Sequence, residues 1–122
     1  MTESLQGFEA RRARGNEAIL EGAPLPIKRF FALDHDAYEA GALSRKTKEL
    51  LGLVASTVLR CDDCVTHHLR GALDAGATRE ELIEALGISL VVGGSITVPH
   101  LRFAWELLDG LLRVGGPEDE GT

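Results

Sequence analysis

Cys61-Asp62-Asp63-Cys64-Val65-Thr66-His67-His68 holds both cysteines of the chain and two of its four histidines. On a helix, residues three and four apart share a face. At about 100° per residue, Cys61, Cys64 and His68 fall within roughly 60° of one another. The spacing therefore predicts a helix that turns two thiols and one imidazole the same way. His67 lies to the other side of Cys64, near Asp63 and Arg70, and reads as a flank residue.

Working outward from this stretch, the motif helix continues to about Ala75. Gly71, Ala72 and Ala75 extend the cysteine face, and such small residues let another helix approach closely. Val65, Leu69 and Leu73 form the adjoining core stripe, and Gly76 closes the helix at the C′ position. Upstream, Ser44 is an N-cap for a helix over Arg45 to Leu59. Leu43, Thr47, Leu50, Leu51, Val54 and Val58 recur on one stripe at helical spacing, with Leu53 and Leu59 off it. A helix apolar on more than one side is expected to be central. Glu49 lies on its second face beside Gly52, Leu53 and Ser56. Two readings stand for it: an exposed pair with Arg45, or a carboxylate facing another element across a surface of small residues.

Thr78-Arg79-Glu80-Glu81 is a capping box that starts a helix from Arg79 to about Val92. Gly93-Gly94 interrupts the pattern, and Ser95 caps a last helix that carries Pro99 early and runs through Leu112. His100 opens that helix and reads as structural or exposed. Towards the N-terminus, residues 2 to 21 read as a helix that Thr2 or Ser4 caps, with a thin stripe of Leu5, Phe8, Ile19 and Leu20. Gly22 to Pro26 is a connector, and a further helix spans Ile27 to Ala40, ended by Gly41. His35, between Asp34 and Asp36, reads as a solvated surface histidine. No segment shows strand periodicity. The expected class is all-α: one domain of about six helices over residues 1–114, with an acidic flexible tail over residues 115–122.

The chain has 122 residues, 44% of them apolar, enough for one packed core. Its net charge is −6 without a basic stripe, which argues against nucleic acid as a partner. The longest apolar run, Ile88 to Val98, is broken by Gly93-Gly94 and followed by Pro99, too short for a bilayer span, so no membrane partner is expected. The opening residues show no export signal. The expected compartment is a reducing cytoplasm, where a Cys-x-x-Cys pair is more often catalytic or metal-binding than a structural staple.

Three readings of the motif follow. The cysteines could be buried structural thiols. They could bind zinc with His67 and His68, although one helix does not easily wrap four adjacent ligands around an ion and no second ligand pair exists elsewhere in the chain. The third reading is thiol redox chemistry. A thiolate near a helix N-terminus gains from the dipole, an imidazole accepts its proton, and a second cysteine one turn away captures a sulfenic acid as a disulfide. Asp62 and Asp63 oppose the thiolate electrostatically. The i, i+3 spacing suits a reversible Cys61–Cys64 disulfide. Cys64 sits deeper in the helix and lies four residues before His68, so it is expected to have the better-placed base. The redox reading is favoured, and no metal or cofactor is expected.

The stretch from Leu43 to Leu108 resembles the carboxymuconolactone decarboxylase superfamily, in particular its AhpD-like alkylhydroperoxidase branch. The resemblance rests on Glu49 twelve residues before Cys61, on Cys61-x-x-Cys64-x-x-x-His68, on the segment from Ala72 to Ala85, and on Gly93-Gly94. It implies an all-α homo-oligomer, commonly a trimer or hexamer, that reduces a hydroperoxide at the expense of an external dithiol or lipoyl-type reductant. Cys64 would be the peroxidatic thiol and Cys61 the resolving partner that first meets the reductant. His68 would take the proton of Cys64, and Glu49 would complete a relay. Members of that branch often carry histidine just before the second cysteine, where this chain has Asp63. The decarboxylase branch, which acts on a cyclic lactone acid without a cofactor and generally lacks the cysteine pair, is the competing enzyme reading. A non-enzymatic redox-sensing protein is the third.

Overall fold

The computed structural model describes residues 3–115, and among them the chain is all helix and turn, without a strand. Two compact units divide it, Met1–Ala40 and Gly41–Thr122. The first holds α1 (Leu5–Gly22) and α2 (Leu25–Ala37). The Ser4 hydroxyl caps α1 by accepting from the Gly7 N–H at 2.9 Å. α2 starts two residues before the expected position, because Pro26 at the second helical position belongs to the first turn, where no N–H is needed. It ends at Ala37 rather than Ala40. His35 stands in solvent beside Asp36, as its acidic neighbours suggested.

The second unit carries everything the motif needs. α3 spans Arg45–Val58, α4 Asp62–Asp74 and α5 Arg79–Gly93. A short 3₁₀ turn, Ser95–Thr97, leads into α6, Val98–Gly115. The expected tail boundary at residue 115 falls in the last turn of α6, and residues 116–122 lie outside the described residues. α3 packs on both α4 and α5, and α6 packs on α4. Leu53, Val65, Leu69, Leu82, Leu86 and Leu108 are fully buried at the centre. Burying side chains of this size stabilises by about 1.5–3 kcal/mol each.

The face of α3 is not the one the apolar stripe predicts. Glu49, Leu53, Ser56 and Thr57 are buried, whereas Leu43, Leu51 and Leu59 are exposed. The periodicity marked a real stripe, but within one chain α4 and α5 cover the neighbouring face. Two of its polar residues, Thr57 and Glu49, are satisfied. Thr57 Oγ1 donates to the Leu53 carbonyl at 2.8 Å, and Glu49 has partners described below.

Local chemistry sets the junctions. α3 ends in a Schellman arrangement: the Arg60 N–H donates to Thr57 O at 3.0 Å and the Cys61 N–H to Ser56 O at 3.1 Å. Arg60 occupies the left-handed region at φ 63°. The residue that closes α3 this way, Cys61, is also the N-cap of α4. One left-handed residue thus feeds the Cys-x-x-Cys pair directly into the start of its helix. Gly76, at φ +97°, repeats the device at the end of α4, with Ala77 N–H on Ala72 O at 2.9 Å. The capping box of α5 is complete, Thr78 N–H to Glu81 Oε1 at 2.9 Å and Glu81 N–H to Thr78 Oγ1 at 3.1 Å. The Thr78 amide and then Lys46 hold the Glu81 carboxyl below its usual range.

Candidate active site

The site is built where the first two turns of α4 lie against α3. Cys61 and Cys64 form a disulfide with their Cα atoms 5.2 Å apart, inside the range that bridged cysteines occupy. The Cys64 N–H donates to Cys61 Sγ at 3.2 Å, so the N-cap atom is a sulfur. Cys64 sits in the first turn, where unpaired N–H groups and the helix dipole favour a negative charge. Cys64 stands further into α4 than Cys61, which is the N-cap, and Cys64 is exposed whereas Cys61 is half-buried. Cys61 is drawn in by its bond to the end of α3, while Cys64 turns outward at the surface of α4.

One turn further along α4, His68 meets Glu49 of α3. His68 Nδ1 lies 2.9 Å from Glu49 Oε1, with 13% and 4% of the two side chains exposed. With the carboxylate accepting, Nδ1 carries the proton and Nε2 becomes the ring nitrogen that exchanges protons. The same carboxylate has Arg45 NH2 3.7 Å from Oε2. Both readings of Glu49 therefore contain something true. It pairs with Arg45 one turn back, yet it is buried and faces another helix. Residues four apart on a helix have β-carbons about 6 Å apart, which sets His68 beside Cys64 on one face.

Gly71 makes the Glu49–His68 contact possible. A β-carbon there would sit 2.6–2.8 Å from the carboxylate carbon and both oxygens of Glu49. The sequence marked this face as small, and the structure assigns the reason: the glycine is the floor on which the carboxylate rests. Gly71→Ala is expected to push the Glu49 carboxylate off His68 and lower activity at least about tenfold, as loss of a relay member does. The shorter carboxylate of Glu49→Asp in the same protein should restore part of the rate. Steady-state turnover of the single and double variants checks this.

A second histidine–carboxylate pair escaped the sequence. His100 Nδ1 lies 2.8 Å from Asp62 Oδ1, joining the start of α6 to the first residue of α4. His100 is thus neither a surface nor a plain core residue, with 21% of its side chain exposed. The partners are 38 residues apart in sequence, and no local pattern links them. His67 lies on the flank, its ring centroid 5.0 Å from that of His68. Among the described residues no three His, Cys, Asp or Glu side chains converge as metal ligands. No helix of the described residues is long and apolar enough to cross a membrane.

A model of the carboxymuconolactone decarboxylase family matches residues 24–107. The match reaches upstream of Leu43, where the sequence resemblance began, and takes in α2. A crystal structure from Thermotoga maritima superposes with a TM-score of 0.85 at 51% identity, covering 93% of this chain and 94% of that one. It is described as a carboxymuconolactone decarboxylase family protein with a possible part in antioxidative response. A Legionella pneumophila protein of the same family superposes with a TM-score of 0.79 at 26% identity, covering 87% of this chain and 95% of that one. An uncharacterized protein of Cupriavidus necator is 35% identical over 94 residues, 77% of this chain and 83% of its own.

Proposed function

The chain belongs to the carboxymuconolactone decarboxylase family, and from that premise we propose that it is a thiol-dependent hydroperoxide reductase. The observation that carries the proposal is the Cys61–Cys64 disulfide at the start of α4, one turn from a buried Glu49–His68 pair. The disulfide is the oxidised state of such a cycle. The possible antioxidative part given to the Thermotoga maritima relative supports the same reading.

In the reduced protein, His68 accepts the Cys64 proton and the thiolate attacks the terminal peroxide oxygen. A sulfur–oxygen bond forms, the O–O bond breaks, and the alkoxide leaves with the proton held by His68 and Glu49. Cys64 is now a sulfenic acid. The Cys61 thiolate attacks its sulfur, the disulfide forms, and hydroxide departs as water with a second proton. One hydroperoxide and two thiols become one alcohol, one water and one disulfide. An external dithiol, of which a lipoyl group is one form, closes the cycle. Glu49 buried beside His68 supports the imidazolium at the moment it forms, and no cofactor enters these steps. A reducing cytoplasm suits the cycle, since the pair must return to thiols.

The exposed apolar surface supports a homo-oligomer, and the family resemblance implies a trimer or hexamer. Leu51 and Leu59 on and just beyond α3, with Ile88, Val91, Val92 and Ile96 on and beyond α5, leave more apolar surface exposed than a lone chain of this size usually shows. Light scattering at micromolar concentration is expected to give a multiple of the 13.1 kDa chain mass. A monomer would remove this part of the proposal.

The deciding experiment measures loss of a hydroperoxide with dithiothreitol as donor, beside turnover of a lactone acid. The expected outcome is peroxide loss with two thiols per chain cycling and no lactone turnover. Two thiols that remain titratable after peroxide would defeat the redox reading, and lactone turnover would replace it with decarboxylation. A reversible disulfide with a change of mass but no turnover would make the protein a redox sensor.

A further inference from the structure

The cycle above has two halves and only one of them has been given a base. Reduction of the disulfide also moves protons: a thiol of the donor must lose one before it attacks, and each cysteine thiolate released can take one up. The Asp62–His100 pair lies, through Asp62, next in the chain to Cys61 and has no role in the peroxide step given above. Asp62 directly follows Cys61, and its Oδ1 holds His100 Nδ1 at 2.8 Å. Covalent geometry alone then keeps this ring nitrogen within about 10 Å of the Cys61 Cα. Asp62 leaves α4 roughly 120° around the helix from His68, and its histidine comes from α6, whereas Glu49 comes from α3. The two histidine–carboxylate pairs thus stand on different sides of α4 and draw on different helices, with Asp62 the chain neighbour of Cys61.

The chemistry of the pair follows from its hydrogen bond. A carboxylate on Nδ1 fixes the tautomer with the proton there, orients the ring and makes Nε2 the basic nitrogen. The ring and Asp62 both keep solvent contact, with 21% and 46% of their side chains exposed.

We propose that His100, oriented by Asp62, is the proton acceptor for the dithiol that re-reduces the Cys61–Cys64 disulfide. The inference rests on the redox reading of the cysteine pair. His100 Nε2 takes the proton of the first donor thiol, and the donor thiolate attacks Cys61 Sγ. The Cys61–Cys64 bond breaks, a donor–Cys61 mixed disulfide forms, and Cys64 leaves as a thiolate that takes up a proton from solvent, the proton His68 accepts in the next peroxide step. The second donor thiol, losing its proton to solvent, attacks the donor sulfur of the mixed disulfide. Cys61 departs as thiolate and takes back the proton held on His100. The donor ends as its disulfide, and the two electrons it gave reside on Cys61 and Cys64. His100 is then a catalytic residue of the reductive half-reaction, and Asp62 is its positioning residue.

The two half-reactions separate in a rapid-mixing experiment. Oxidised protein is mixed with dithiothreitol, and pre-reduced protein with a hydroperoxide. Each is quenched with an alkylating agent, and free thiols are counted by mass against time. His100→Gln retains a donor for Asp62 and is expected to slow reduction about tenfold, below the usual hundredfold for a lost general base because a thiol near pH 7 is already partly ionised. Oxidation should slow far less. Asp62→Asn should fall between His100→Gln and the parent in the reductive step. His100→Gly should be slow in reduction and recover with added imidazole, which a merely structural role does not predict. Thermal melts identify any variant that fails to fold, and the remaining variants carry the test. An unchanged reductive rate, equal slowing of both halves, or a His100→Gly protein that ignores imidazole overturns the proposal. Peroxide that never forms the disulfide would sink the peroxidase reading instead, because reduction by dithiothreitol involves no peroxide.

Discussion

Cys64→Ser is expected to lower hydroperoxide turnover more than about a hundredfold, to the level of the reaction without protein. Cys61→Ser should be impaired in cycling yet still complete the first chemical step. The difference follows from where the two sulfurs stand. Cys64 lies in the first turn of α4, where helix N–H groups favour a thiolate, and His68 follows it by one turn. Its side chain is exposed, so a hydroperoxide reaches it without a lid. Cys61 is the N-cap, half-buried and bonded through its backbone to the end of α3. Serine in place of Cys64 keeps the shape but offers no atom that a peroxide oxidises. Asp62 and Asp63 oppose a thiolate here, but the Asp62 carboxylate is turned to His100. The measurement is steady-state peroxide loss for each variant, with a dimedone probe for sulfenic acid. The adduct should appear on Cys64 in Cys61→Ser. An adduct confined to Cys61, or an active Cys64→Ser protein, would exchange the roles of the two thiols.

How much of this was legible in the sequence depends on the range of each signal. The junctions of the second unit were readable because caps are local. Ser44, Gly76 and the Thr78–Glu81 box each act within four residues, and all three stand where the pattern put them. The face of α3 was not readable in the same way. Its Leu50, Leu51 and Val54 stripe is more apolar than the buried Glu49, Ser56 and Thr57 face. Hydrophobic periodicity ranks faces by composition, whereas burial within one chain depends on which neighbours exist. The cysteine face of α4 was legible down to its small residues, but not the use of Gly71, since that depends on a carboxylate from another helix. The Asp62–His100 contact is the furthest beyond reach. It joins two polar residues across two intervening elements, and only the packing of α6 on α4 reveals it.

Glu49→Gln tests whether the buried carboxylate belongs to the chemistry, and the expected result is a fall of at least about tenfold in peroxide turnover. A glutamine in this place keeps an oxygen that accepts from His68 Nδ1, so the ring keeps its tautomer and its orientation. What is lost is the negative charge 2.9 Å from that nitrogen. Without it, the imidazolium formed when Cys64 gives up its proton has no counter-charge in a site where only 4% of the Glu49 side chain meets water. The proton is then held less readily and returned less readily to the leaving alkoxide. The second partner of the carboxylate, Arg45 at 3.7 Å, is half-exposed, and glutamine keeps both the shape of the side chain and its bond to His68. Little change in melting temperature is therefore expected. A structural role predicts the reverse: a lower melting temperature with the rate per folded molecule intact. Turnover and a thermal melt on one preparation separate the two. A normally folded and fully active Glu49→Gln protein would take Glu49 out of the relay and leave His68 to act on Cys64 alone.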